Sequence, residues 1–221
     1  MTAEHHLSIP RTARYFLAGE PGPAVTDLWF CLHGYAQLAS AFARHCQPLA
    51  SSTALLVVPE ALSRFYIGDH TRPAGPDAKI GASWMTREDR LTEITDYVQF
   101  LDRLYQLVAP QLPGRRRTHV LGFSQGASTA TRWLTRGTTT ANRLVLWGAP
   151  MPADLDPALD ASRLRALEVV YVAGDRDEYL TEKVLASEAK RLTEMNVRFT
   201  TTKFAGGHVL DDRVLSDLAG G

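Results

Sequence analysis

Cysteine, charge of one sign and long hydrophobic runs are all scarce in this sequence. Its two cysteines, Cys31 and Cys46, are too few for a disulfide framework or a structural zinc site. No apolar run approaches the roughly 18 residues that a membrane-spanning helix requires. The polar N-terminus has no secretion-signal pattern. We therefore expect a cytoplasmic protein without a membrane span.

The chain also lacks an excess of either charge. Lysine and arginine total 24, as do aspartate and glutamate, so the formal net charge is zero. Proteins dedicated to nucleic acids or anionic membranes normally carry a basic excess. The glycine motifs of phosphate-binding and dinucleotide-binding loops are missing as well. We therefore expect no nucleic-acid partner, and no metal or organic cofactor is implied.

What the sequence does contain is an alternation of short apolar runs and helical periodicity. Runs that are apolar on both faces and end in turn residues are typical of buried parallel strands. They lie at residues 28–32, 55–58, 120–121, 144–147 and 169–172, with a last strand at 197–204. Helices are predicted at residues 91–108, 127–134, 181–195 and 209–218. The pattern predicts a single α/β domain over residues 1–221, with a mostly parallel sheet and helices on both faces.

Residues 61–87 do not follow this alternation. The stretch contains several glycines and prolines among aromatic residues, so we expect a long loop. Loops of this length are usually functional or mobile. We expect this one to lie near the functional site.

The motif that carries chemistry is the sequence Gly-Phe-Ser-Gln-Gly at residues 122–126, between a predicted strand and a predicted helix. This is the G-x-S-x-G nucleophile elbow in the strand–turn–helix context that it requires. Glycine at both flanking positions lets strand and helix approach each other, and the serine hydroxyl protrudes from a strained turn. Ser124 is therefore the candidate nucleophile.

A serine nucleophile needs a base, and the base needs an acid to orient it. His208 is the single histidine after Ser124, and it follows the last predicted strand. Parallel strands direct their carboxyl ends to one edge of a sheet, so His208 can meet Ser124 there. Two candidate acids, Asp175 and Asp177, follow the strand at 169–172. The residues themselves do not decide between the two.

The oxyanion of the reaction intermediate needs two hydrogen-bond donors. One is the backbone N–H of Gln125, directly after the nucleophile. The other is expected in the loop His33-Gly34-Tyr35 after an early strand, with the Tyr35 N–H as donor. The His33 ring could be a second base, but we favour a structural group that holds this loop.

Together these residues resemble the phospholipase/carboxylesterase family of small α/β hydrolases, which includes acyl-protein thioesterases and bacterial carboxylesterases. The resemblance extends from residues 33–34 to His208, nearly the whole chain. Residues 174–177 are similar to the family's G-x-x-D acid turn, and this implies Asp177 rather than Asp175. The resemblance also implies an α/β-hydrolase fold without a large cap domain.

Trp84 is similar to a family tryptophan beside the acyl cleft. With it, Phe65, Tyr66 and Met85 are candidate substrate-binding residues that wall an apolar cleft. The alternative is that these four side chains only pack the 61–87 stretch onto the domain.

The sequence departs from the family pattern at three positions. Ala36 and Ala127 stand where the family often has glycine, and Met85 replaces the usual aromatic residue. The two alanines bear on the shape of the oxyanion loop and the elbow, and Met85 on the width of the acyl pocket. No catalytic group is lost.

We therefore expect a serine hydrolase that cleaves carboxylic esters, or thioesters, through an acyl-enzyme. Its partner is a small-molecule ester, and a homodimer is compatible with the sequence. One alternative is a hydrolase of another bond, such as a peptidase or a dienelactone-type hydrolase, because fold does not determine substrate. The other is a non-catalytic binding protein that retains the fold.

Overall fold

The secondary structure alternates between strands and helices over most of the chain. The computed structural model describes residues 2–68, 75–114 and 116–220. Within them the strands are β1 (Tyr15–Ala18), β2 (Asp27–Leu32), β3 (Ala54–Pro59), β4 (Ser63–Tyr66), β5 (Ile80–Ser83), β6 (Arg117–Phe123), β7 (Arg143–Trp147), β8 (Glu168–Gly174) and β9 (Phe199–Phe204). The helices are α1 (Ala39–His45), α2 (Arg90–Val108), α3 (Gln125–Arg136), α4 (Pro157–Arg165), α5 (Glu182–Glu194) and α6 (Asp212–Gly220).

The main sheet has seven of these strands, in the order β1–β3–β2–β6–β7–β8–β9. All neighbours run parallel except β1, which is antiparallel to β3 at one edge. The central β2–β6 pair aligns Asp27 with Arg117 and Leu32 with Gly122. The inner strands are buried almost along their whole length, because both faces of a parallel sheet are covered. The predicted fold class is therefore confirmed.

Two hydrophobic layers pack on opposite faces of the sheet. Alternate residues of β2 enter different layers, for example Phe30 and Cys31, since successive side chains of a strand point to opposite faces. The larger layer lies under α2, α3, α4 and α5 and includes Trp133. The smaller layer lies under α1 and α6 and includes Trp147. None of the described helices is both long and apolar enough to cross a lipid bilayer.

Residues 61–87 do not form the simple long loop that the sequence predicts. Strands β4 and β5 pair within it as a small antiparallel sheet. A bridge between Gln37 and Ala82 then connects β5 to the segment that follows β2. Residues 69–74 of this stretch lie outside the described residues. The structure also contains β1, α1 and α4, which the sequence pattern did not predict.

The candidate catalytic residues all follow carboxyl ends of parallel strands. Tyr35 comes after β2, Ser124 after β6, Asp177 after β8 and His208 after β9. Because β2, β6, β8 and β9 run in the same direction, these segments meet at one edge of the sheet.

Candidate active site

Ser124 lies at the sharp turn between β6 and α3. Its backbone angles are φ 54° and ψ −119°, a combination that a residue with a side chain rarely adopts. The Ser124 amide donates a 2.9 Å hydrogen bond to the Trp147 carbonyl on β7. Strand and helix are so close that a Cβ at Gly122 would overlap the carbonyl oxygen of Gly126. This is the backbone geometry of a nucleophile elbow.

His208 and Asp177 form a directly bonded pair. His208 Nδ1 lies 2.9 Å from Asp177 Oδ2. The second carboxylate oxygen accepts hydrogen bonds from the backbone amides of Tyr179 at 2.8 Å and Leu180 at 3.1 Å. Both oxygens of this buried carboxylate are therefore engaged. The bond at Nδ1 leaves His208 Nε2 as the ring nitrogen that can exchange a proton with a substrate.

Asp175, the alternative acid, has a different position. Its half-exposed carboxylate accepts a 2.9 Å hydrogen bond from the Gly206 amide. The Asp175 amide in turn donates to the Phe204 carbonyl at the end of β9. These bonds hold the loop that leads to His208. The structure thus brings Asp177 to the imidazole, whereas Asp175 is a turn residue.

Two aromatic rings and a glycine surround the His208 imidazole. Ring centroids lie 4.8 Å away for Phe123 and 4.6 Å away for Tyr179. Phe123 is buried, whereas Tyr179 is 63% exposed. Gly148, with φ +68°, passes so close that a Cβ there would lie 2.9 Å from His208 Nδ1. Sequence reasoning missed Tyr179 and Gly148; the proximity of Tyr179 to Asp177 in the chain is the signal that could have indicated it.

The segments that carry Ser124 and His208 are in contact. Phe123, which precedes Ser124, packs against the His208 ring. Within the described residues the Ser124 hydroxyl makes no hydrogen bond to His208, whose ring is bonded to Asp177. Catalytic hydrogen bonds are often long without substrate and shorten when it binds. The geometry is therefore compatible with a Ser–His–Asp relay in which the hydrogen bond between Ser124 and His208 forms on substrate binding.

The loop between β2 and α1 is held by hydrogen bonds on both sides. The Gly34 amide donates to Gln37 Oε1 at 2.8 Å, and the Ala36 amide donates to the Ala82 carbonyl at 2.9 Å. Ala36 has φ 62°. The alanine therefore adopts the left-handed conformation that favours glycine at this position, at a cost of about 1–2 kcal/mol.

Two backbone amides near Ser124 lack an acceptor in the part of the chain that the structure describes. Among the described residues, the Tyr35 amide and the Gln125 amide donate no hydrogen bond. The loop approaches the nucleophile closely, since a Cβ at Gly34 would lie 3.2 Å from Ser124 Cβ. Free backbone donors beside a nucleophile are what an oxyanion hole requires.

His33 has a structural role, as the sequence favoured. Its ring is completely buried, with Nδ1 2.8 Å from the Gly34 carbonyl. Nε2 accepts a 3.0 Å hydrogen bond from the Ala61 amide, so Nδ1 carries the proton. Burial lowers the pKa of His33, although the bond to Gly34 opposes this. A neutral imidazole thus connects the β2–α1 loop to the end of β3.

The four candidate cleft residues occupy different environments. Trp84 is 2% exposed and lies beneath the loop, with Nε1 donating to the His33 carbonyl at 2.8 Å. Phe65 is half-buried and stacks on Tyr35 with ring centroids 5.2 Å apart. Met85 is half-buried, whereas Tyr66 is half-exposed to solvent.

The side chain of Gln125 connects the elbow to β5, a contact that the sequence did not indicate. Its Oε1 accepts from the Trp84 amide at 3.0 Å, and its Nε2 donates to the Met85 carbonyl at 2.8 Å. The two peptide groups that follow β5 are therefore fixed by the residue next to the nucleophile.

A cluster of three potential metal ligands lies outside the Ser124 site. In the parts of the chain that the structure describes, Glu4, His6 and Asp89 bring three ligand atoms within 4.8 Å of one another. All three are exposed, and none belongs to the Ser124 site.

Comparison with known families gives a match over most of the chain. The sequence profile of the serine hydrolase (FSH1) family matches residues 27–211. That range includes the elbow, Asp177 and His208. No curated protein sequence matches the chain significantly.

Several solved structures share the fold. Esterase PE8 has 19% identity and a TM-score of 0.66, covering 95% of this chain and 97% of that one. Zea mays acyl-protein thioesterase 2 has 16% identity, a TM-score of 0.66 and the same coverage. A carboxylesterase from Mesorhizobium loti has 18% identity and a TM-score of 0.69, covering 95% of both chains. The expected resemblance to small α/β hydrolases, without a large cap domain, is confirmed.

Proposed function

Because the chain belongs to the serine hydrolase (FSH1) family, we propose that it hydrolyses carboxylic esters through a covalent acyl-enzyme. Ser124 is the nucleophile and His208 transfers the proton. Asp177 orients the imidazole and stabilises its charged form. The amides of Tyr35 and Gln125 hold the oxyanion.

The reaction has two halves that use the same groups. Ser124 Oγ attacks the ester carbonyl carbon while His208 Nε2 takes the hydroxyl proton. The tetrahedral intermediate collapses, the alcohol leaves with the proton from Nε2, and the acyl group remains on Ser124. Water then attacks the acyl-enzyme, again losing a proton to Nε2. That proton returns to Ser124 as the carboxylic acid departs.

The 2.9 Å contact between His208 Nδ1 and Asp177 Oδ2 is the observation that carries this proposal. It joins two loops that are 31 residues apart in sequence, at the sheet edge where the elbow lies. The carboxylate is buried and the imidazole is partly exposed. This is the arrangement that a base needs if it faces a substrate on one side and an orienting acid on the other.

We place the acyl group of the substrate between the oxyanion loop and the end of β5. Phe65 and Met85 are the partly accessible apolar side chains there, with Tyr66 toward solvent. Trp84 supports this cleft from beneath through its bond to the His33 carbonyl. Thioesters are a second candidate class, since one structural relative is an acyl-protein thioesterase.

The test combines a covalent probe with a substrate panel. We expect a fluorophosphonate to label the wild-type protein and p-nitrophenyl esters, from acetyl to palmitoyl, to be hydrolysed. An acyl thioester of matched chain length separates the two substrate classes. Ser124→Ala should abolish labelling and turnover and leave the circular dichroism spectrum unchanged. A folded wild-type protein that neither reacts with the probe nor turns over any ester would instead be a binding protein.

A further inference from the structure

Tyr179 lies beside the His208 imidazole, with its backbone held by a hydrogen bond and its side chain open to solvent. Its amide is bonded to Asp177 Oδ1 at 2.8 Å, so the backbone position is set by the acid itself. Its ring lies 4.6 Å from the His208 ring at an interplanar angle of 56°. The side chain is nevertheless 63% exposed. Nothing in the proposed proton transfer uses this ring.

Proton transfer determines where the leaving group must lie. Its oxygen receives a proton from His208 Nε2, and such a transfer requires about 2.6–3.2 Å between the two atoms. Of the two rings that flank the imidazole, Phe123 is 6% exposed and closed off by the core. Tyr179 is on the accessible side. Of these two rings, that of Tyr179 is therefore the one that a leaving group can reach.

We infer that Tyr179 forms the wall of a leaving-group subsite that favours flat, aromatic alcohol or thiol groups. The inference rests on the proposed function, because it assigns one side of the same site. An exposed ring held in place by its backbone loses little freedom when another ring packs on it, and aromatic pairs favour offset or tilted contacts.

The charges around the subsite argue against an anionic leaving group. The exposed charged residues of the turn are Asp175, Arg176 and Glu178. Their formal charges give a net negative turn, and Arg176 Nη1 lies 3.9 Å from Asp175 Oδ1. A phosphate-bearing alcohol would thus meet no excess of positive charge here.

The experiment compares benzyl acetate with cyclohexylmethyl acetate. Both are esters of primary alcohols with six-membered rings, and both give the same acetyl-enzyme, so only the leaving group differs. For the wild-type protein we expect kcat/KM to be about three- to tenfold higher for the benzyl ester, as an aromatic contact provides. Tyr179→Phe should keep this ratio because the ring remains. Tyr179→Leu should reduce the ratio to about one.

Each outcome has a distinct meaning. A wild-type ratio near one overturns the subsite whatever the variants do, while turnover of both acetates leaves the proposed function intact. Equal losses for both esters in Tyr179→Leu, with the ratio retained, also overturn it, because Tyr179 would then only position His208. Absence of both turnover and fluorophosphonate labelling in folded wild-type protein would overturn the proposed function and the subsite together.

Discussion

The carboxylate of Asp177 has three donors around it, namely the His208 ring and the amides of Tyr179 and Leu180. These amides fix the direction of its second oxygen. The imidazole thus receives a charged acceptor in a fixed position. In the proposed mechanism this position is needed, because the imidazolium that forms during each proton transfer requires a negative partner.

Asp177→Asn should therefore be far more damaging than Asp175→Asn. The amide is neutral and supports the wrong tautomer, and the corresponding change in a serine protease triad lowers kcat about 10⁴-fold. An asparagine at position 175 can still accept the hydrogen bond from the Gly206 amide. The kcat of Asp175→Asn should therefore fall by less than about tenfold. Steady-state hydrolysis of p-nitrophenyl acetate measures both. If Asp175→Asn is the inactive variant, the assignment taken from the family is wrong.

The second prediction for a single residue concerns Gly148. A methyl group there would lie 2.9 Å from His208 Nδ1 and Cε1 and 3.1 Å from Asp177 Oδ2. Gly148→Ala should displace the imidazole and lower kcat/KM by about 10²-fold, the effect of an ångström of misplacement. The positive φ adds about 1–2 kcal/mol of destabilisation.

The matched control for this variant is Gly22→Ala, since nothing lies within 4 Å of a Cβ at Gly22. We expect Gly22→Ala to retain full activity. Wild-type activity in Gly148→Ala would mean that the imidazole is not held at this position.

Among the elements, the small β4–β5 sheet supports the loop that carries the Tyr35 amide. The Ala36 amide donates to the Ala82 carbonyl, and the Ala82 amide donates to the Gln37 carbonyl. From the other side, Gln125 binds the peptides that follow β5. The oxyanion loop and the nucleophile thus share a common support.

Gly81→Ala tests this support. A Cβ at Gly81 would lie 2.6 Å from the Ala36 carbonyl oxygen and 2.7 Å from Ala36 Cα. Backbone cannot yield as a flexible side chain does, so the loop must shift and the Tyr35 amide with it. We expect kcat to fall by up to about 10²–10³-fold, as when one oxyanion donor is lost. Gly75→Ala, with open space around its Cβ, should behave like wild type in the same ester assay.

The elements that the sequence predicted are those with a local signal. Strands β2, β3, β7 and β8 contain continuous apolar runs, β6 contains a shorter one at residues 120–121, and α2 has clear periodicity. By contrast, α1 has seven residues and no side-chain cap. The pairing of β4 with β5 depends on partners 14 or more residues apart, and no short-range pattern reveals it. These elements arise from tertiary contacts rather than from local preference.

The candidate site likewise contains residues that the sequence predicts and residues that it does not. Ser124 and His208 follow from motif and chain order, because the elbow and the sheet edge are general features of the fold. The choice between Asp175 and Asp177 needed a family resemblance, since both follow β8. The buried position of Trp84 and the contact between Tyr179 and His208 are products of packing. Sequence spacing alone does not specify them.

For the molecule as a whole, buried histidines predict a loss of stability toward acid. Burial lowers the pKa of His33 and of His119; at His119 the bond to Asp27 opposes this effect, and Arg143 adds to it. An unfolded histidine has a pKa near 6.5. Below that pH the unfolded chain binds protons that the folded protein does not, so the free energy of unfolding falls as pH decreases toward the folded pKa values.

Urea unfolding between pH 7 and pH 5 measures this dependence. Each buried histidine contributes a slope of up to about 1.4 kcal/mol per pH unit. His119→Gln removes one titrating group and keeps a donor for Asp27, so the slope should decrease. His45→Gln, at an exposed position, is the control and should leave the slope unchanged. An unaltered slope in His119→Gln would contradict the prediction.

The alignment of β2 with β6 at the centre of the sheet has a practical consequence. The loop after β2 provides the Tyr35 amide, and the turn after β6 provides Ser124, while the chain between them passes through exposed residues Pro113 and Gly114. A break at that surface turn would place these two groups on separate polypeptides, neither complete without the other. Restored ester cleavage on mixing the two pieces would then report their reassembly.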